Sequence, residues 1–119
     1  MKLGKKTSGG KYIKKRKKKL YEAPGQRRIV KLGEEKRKKK RMIGGRKKIV
    51  MFSAKKVSVL INKKAKNVEI KNVLETPSNR FLARQNVITK GTILETELGK
   101  VKVTNRPSQT GIVQGVLVE

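Results

Sequence analysis

Six consecutive cations, "KKRKKK" from Lys14 to Lys19, limit this chain more than any other feature. Neighbouring unit charges about 4 Å apart repel by roughly 1 kcal/mol even in water. Winding the run into a helix adds a further few tenths of a kcal/mol for each like pair at i,i+4. No acidic residue lies between Met1 and Lys19. The run is therefore predicted to be extended and solvated by itself, and to become ordered only against a comparable density of negative charge.

The rest of the chain repeats this imbalance in diluted form. Among 119 residues there are 34 Lys plus Arg and 8 acids, a net charge of +26. Residues 1–50 hold 22 of the bases and 3 of the acids, while apolar residues concentrate further on. The expected organisation is a basic arm over residues 1–26 and a folded body over 27–119, which includes a basic hairpin at 36–53. "APGQ" (Ala23–Gln26) marks the boundary, because Pro-Gly is a turn signal. Beyond its first three residues, Tyr12, Ile13, Leu20 and Tyr21 are the arm's sizeable apolar groups; two uses are open to them, packing against the body or stacking on a base.

Several function classes recede at once. Cysteine, histidine and aspartate are absent, which removes disulfides, thiolate and imidazole metal sites, histidine bases and cysteine nucleophiles. The eight Glu residues form no paired-carboxylate motif, so neither an enzyme nor a cofactor nor a small-molecule substrate is expected. No stretch approaches the roughly 20 apolar residues that span a bilayer, and the N-terminus has no apolar leader. The basic run also lacks the Leu, Phe or Trp of a surface-seeking helix. A soluble intracellular chain without a membrane partner is the expectation.

Beyond Arg28 the pattern is that of strands. "RIVKLG" reads as a short strand ended by Gly33. Lys36–Arg41 and Arg46–Ser53 flank Gly44–Gly45 and read as a β-hairpin, since tight hairpin turns need positive φ. Helix competes over Lys36–Arg41, because lysine is depleted in strands; the consecutive bases would make that helix self-repulsive. Val57, Val59 and Ile61 alternate, as do Val68 and Ile70. "NVITKGTILETELGKVKVTNRP" offers three short strands punctuated by Gly91 and Leu98–Gly99. "GIVQGVLVE" closes the chain with Ile112, Gln114, Val116 and Val118 on one parity. Turn signals every 8–12 residues or so indicate an all-β fold. A closed barrel is expected, because closure removes exposed edges.

A nucleic-acid backbone matches this charge best, since neutralising phosphates releases condensed counterions. Aromatic residues are few, and neither a zinc-finger spacing nor a basic zipper is present. Binding by shape and phosphate to folded RNA is favoured over DNA compaction. The glycine pairs Gly9–Gly10 and Gly44–Gly45 stand next to bases, where a missing Cβ lets backbone approach phosphate; the hairpin turn already explains the second pair. Pro107 pushes Arg106 towards extended geometry, directing it at a phosphate or an internal carboxylate. Arg80 and Arg84, beside Phe81 and Leu82, are open to the same two uses.

Three segments in order carry a resemblance. "KKTSGGKYIKKRKKKLYE", "RMIGGRKKIVMFSAKKV" and "VTNRPSQTGIVQGVLVE" resemble small-subunit ribosomal protein eight of the archaeal/eukaryotic type, and "NRFLARQNVITKGTILETELG" resembles its short archaeal members. The resemblance implies a six-stranded antiparallel barrel with a long basic arm, an architectural role in folding small-subunit rRNA and supporting subunit assembly, and neighbouring small-subunit proteins as further partners. Matching positions are Lys5, Gly9, Gly10 and Lys14, Lys15, Arg16, Lys17, Lys18, Lys19 in the arm. Gly44, Gly45, Arg46, Lys47 and Lys48 match in the hairpin, and Arg106 near the end. Lys6, Lys11, Arg27, Arg28, Arg37, Lys39, Arg41 and Arg80 complete the expected RNA contacts on grounds of charge. The other reading is a stand-alone nucleic-acid-coating or chromatin-like protein.

Overall fold

Valines at alternate positions need an apolar interior on one side only, and the computed structural model shows how the chain provides it. The structure describes residues 4–13, 15–61 and 63–118. Five strands close into a barrel: β4 (Lys56–Ile61), β5 (Lys64–Glu75), β6 (Ile93–Thr96), β7 (Gly99–Val103) and β8 (Gln114–Leu117). Neighbours are antiparallel except at the seam, where β4 and β8 run parallel with Val59 opposite Gly115. Val57, Val59, Val68, Ile70, Val73, Leu94, Val101 and Val103 point inward and are buried together.

β5 is long enough to serve two neighbours. Its first half pairs with β4 and its second half with β6, and register shifts at Ile70/Asn72 and Val73/Glu75 bend it between them. At the seam an added Cβ on Gly115 would collide with Val101 Cγ1 and come within 2.9 Å of the Lys102 carbonyl oxygen. A side chain there would hold the closing strand off its neighbour. The interior parity of the last segment is thus Val113 and Gly115, and the alternate set Ile112, Gln114, Val116 and Val118 faces outward.

The expected count of six barrel strands is corrected to five. The hairpin is not in the barrel wall but in a second sheet of order β1-β3-β2, made of β1 (Lys31–Leu32), β2 (Lys36–Arg41) and β3 (Lys47–Ala54). The reason lies in β2: a barrel strand must offer every second side chain to the interior, and "KRKKKR" has no apolar residue to offer. All six of its residues are exposed, on an edge. β3 joins the two parts, because Met51 and Ala54 reach the barrel's cluster while its flank packs on a short helix, α2 (Pro107–Thr110).

A strand expected near Val87 is also corrected. Val87 and Ile88 are adjacent and both buried, which simple alternation forbids. They form one bridge to Lys31 and a hydrogen bond from Ile88 N to Val30 O of 2.8 Å, not a strand. Before them stands another short helix, α1 (Arg80–Arg84), capped by the Asn79 side chain accepting from Phe81 N at 3.0 Å. Neither helix was expected.

Candidate nucleic-acid interface

Residues 4–13 and 15–29 are all exposed, so the arm shares no interior with the body. The molecule measures 66 × 34 × 28 Å with a radius of gyration of 20.8 Å. A compact chain of this length would have a radius of about 13–14 Å. Tyr12, Ile13, Leu20 and Tyr21 are 53%, 91%, 94% and 77% exposed. Of the two uses open to them, packing on the body is not the one the structure shows.

Two local turns shape the arm. In the first, Gly9 N donates to Lys6 O and Lys6 N to Gly10 O, both at 2.9 Å, while Lys5 and Lys11 form a bridge. Gly9 has φ 77°, so the glycine pair's first member is needed for the turn itself. Lys5, Lys6 and Lys11 are gathered round this turn, with the Lys6 ammonium 5.9 Å from the Tyr12 ring centre. In the second, Leu20–Glu22 form one turn of 3-10 helix. Glu22 reaches back to accept two bonds from the Arg16 guanidinium, at 2.7 and 2.5 Å, and one from Lys19 N at 3.1 Å. Arg16 hydrogen bonding, then the Lys19 amide, hold the Glu22 carboxylate below its usual range, and the same bond raises Arg16. No acid lies within the first nineteen residues, but Glu22, three residues beyond the end of the basic run, pairs with one of its members. Lys15, Lys17, Lys18 and Lys19 are exposed in a stretch without regular secondary structure, and Lys14 lies outside the described residues.

The hairpin forms the second cationic surface. Register places Lys38 opposite Val50, Lys39 opposite Ile49, Lys40 opposite Lys48 and Arg41 opposite Lys47. Paired residues of an antiparallel ladder share a face, so Lys38, Lys40, Lys48, Val50 and Phe52 lie on one side and Arg37, Lys39, Arg41, Lys47 and Ile49 on the other. Arg37 is partly engaged by Glu35 at 3.1 Å. Lys48 donates to Gln109 Oε1 of α2 at 3.2 Å, which ties the hairpin to the body. The tip is a three-residue loop, Ile43–Gly45, closed by Met42 N donating to Arg46 O at 2.7 Å. Gly44 and Gly45 have φ near +78° and +77°, so the turn accounts for them.

The remaining expected contacts are dispersed. Arg27 and Arg28 lie in the extended segment leading to β1 and are exposed. Arg80 opens α1 and Arg106 precedes α2, both exposed. Arg106 is extended (φ −107°, ψ 96°), as Pro107 requires, and its carbonyl accepts from Gln109 N, Thr110 N and the Thr110 hydroxyl. No carboxylate among the described residues pairs with it, which leaves the guanidinium to solvent. Sequence reasoning passed over Lys36, Lys38 and Lys40; the period of two already implied that both faces of an all-cationic edge strand are exposed.

The arrangement has two exposed cationic limbs on a small barrel. Among the described residues no cluster of acids suits a metal, and no helix is long and apolar enough to cross a membrane. A barrel with such limbs defines the class: a small β-barrel protein whose charge lies in exposed cationic extensions. Comparison makes this specific: the sequence pattern of the family "Ribosomal protein S8e" matches residues 2–118, and the chain belongs to that family. It is 43% identical over 106 residues to "Small ribosomal subunit protein eS8" of Nanoarchaeum equitans, covering 87% of this chain and 84% of that one. The protein of the same name from Pyrobaculum aerophilum is 43% identical over 119 residues, covering 97% and 91%. That of Methanosphaera stadtmanae is 53% identical over 68 residues, covering 56% and 54%. These relatives are ribosomal proteins and not enzymes.

Proposed function

We propose that the chain is a structural protein of the small ribosomal subunit in the cytoplasm, binding small-subunit rRNA through its arm and hairpin and supporting subunit assembly. Family membership supports the setting. The observation that carries the contact surface is β2, six cations in sequence, all exposed, on an edge with no strand beyond it. Such a strand repels a second copy of itself and attracts a phosphate backbone on both faces. With about ten side chains on phosphate, log K should fall with log salt at a slope of roughly −7 to −9.

In this reading the arm has only its two local turns by itself and takes a fixed path over the rest of its length when RNA surrounds it, because its described residues bury nothing of their own. Residues 1–26 act as the arm and 27–119 as the body. A partner of another kind fits the opposite character of the barrel's outside, where Leu60 stands beside Ala65 and Val116 in the ladder. This apolar row suits a neighbouring small-subunit protein.

Fractionation of a cell lysate on a sucrose gradient tests the setting. The chain should migrate with small subunits and stay with them through a moderate salt wash. Migration with bulk DNA, or release as a free protein, would point to the stand-alone coating protein instead.

A further inference from the structure

A cleft of about 610 Å³ lies between the hairpin and the chain segment that leads to β1. Gly25, Gln26, Arg27, Arg28 and Ile29 form one wall, and Phe52 and Lys40 the other. Phe52 and Lys40 share a face of the hairpin, as the register shows. Lys40 pairs with Lys48, four residues from Phe52 along β3, or about 13 Å. The cleft is therefore lined by Phe52 towards one end and Lys40 towards the other, with Arg27 and Arg28 on the facing segment. Phe52 is half-buried, and no acidic residue among the described ones lines the space.

We infer that this cleft receives a single unpaired nucleotide, its base against the Phe52 ring and its phosphates held by Arg27, Arg28 and Lys40; the inference rests on the RNA-binding role proposed above. Volume excludes a duplex, since sites of about 300–1,000 Å³ hold one small ligand. Charge selects an anion, and three cations with no acid exceed what a neutral or zwitterionic ligand needs. The ring selects a flat partner, which an acidic peptide does not supply at every position and every nucleotide does. Unpaired bases stacked on aromatic side chains are the general route to reading RNA outside its helices. The rest of the interface can bind by phosphate alone; this cleft adds a preference for a place where a base has left its stack.

The test uses the full chain and two end-labelled RNA hairpins, one fully paired and one with a single bulged nucleotide, compared by fluorescence anisotropy. The bulged hairpin should bind about tenfold more tightly, the scale of one base stacked on an aromatic ring. Phe52→Leu should bring the two affinities together without weakening binding to the paired hairpin, and Phe52→Tyr should keep the preference. Lys40→Gln, on the exposed edge strand, should lower affinity for the bulged hairpin more than for the paired one, which keeps the test open if Phe52→Leu folds poorly. Equal binding of both hairpins by the unaltered chain, or a preference that survives Phe52→Leu, overturns the cleft assignment alone. Failure to bind either hairpin overturns the RNA role itself.

Discussion

At Gly115 the lack of a side chain lets the barrel's last strand lie close against its neighbour. The seam between β8 and its neighbours leaves no room for a methyl beside Val101 and the Lys102 carbonyl. Gly115→Ala is expected to cost about 1–3 kcal/mol, the scale of overpacking in a filled core. A lower midpoint of thermal unfolding by circular dichroism would show it; an unchanged midpoint would mean the seam yields. In the arm, Glu22 gives a prediction in pH. Its carboxylate is held below the usual range, so the clamp on Arg16 is present above the ordinary glutamate value of about 4.3 and is lost as pH falls through the lowered one. NMR titration of the Glu22 side-chain carbon should give a midpoint below about 4.3, and Arg16→Gln should move it up towards that value, the bond from the Lys19 amide keeping part of the lowering. Because both groups are exposed, salt should weaken the clamp as well.

Among the elements, β2 behaves as a surface instrument more than as a support. Its side chains bury nothing, so Lys38→Gln and Lys40→Gln should leave stability within about 0.5 kcal/mol. Each should flatten the dependence of log K for RNA on log salt by about 0.7–0.9 where that side chain meets a phosphate. Affinities measured at several salt concentrations decide this, and unchanged slopes would remove β2 from the interface. The same strand shows what a sequence discloses. Val57/Val59 and Val101/Val103 announce their strands because one face of each is buried against the barrel's interior. β2 carries no such contrast, and only its partner β3 and the glycine loop make it a strand. Alternation also says nothing about which sheet a strand joins, which is why the hairpin counts towards the barrel on paper and not in space. The helices were missed although their signals stand in the sequence: Asn79 as a cap, and Pro107 at the first position of α2 with Gly111 just past its end. Both are too short for a period of 3.6 to become visible. The exposed cationic positions were legible, since charge needs no fold to be counted; the Arg16–Glu22 pair and the cleft under Phe52 were not, because each depends on how the backbone turns.

For the whole molecule, arm and body have separate determinants. Removing residues 1–26 should leave the unfolding midpoint of the barrel nearly unchanged, because none of the described residues in that segment belongs to the core. Affinity for small-subunit rRNA at physiological salt should fall by orders of magnitude. Equal affinity with and without the arm would assign binding to the hairpin alone. The parallel seam between β4 and β8 has one more consequence, for the timing of synthesis. Its two strands are the first and last of the barrel in chain order, so the ring stays open until Gln114–Leu117 have left the ribosome that makes them. The arm emerges long before that. A newborn chain thus exposes its adhesive limb while its body is still unfinished, and any polyanion nearby can hold the limb before the barrel exists.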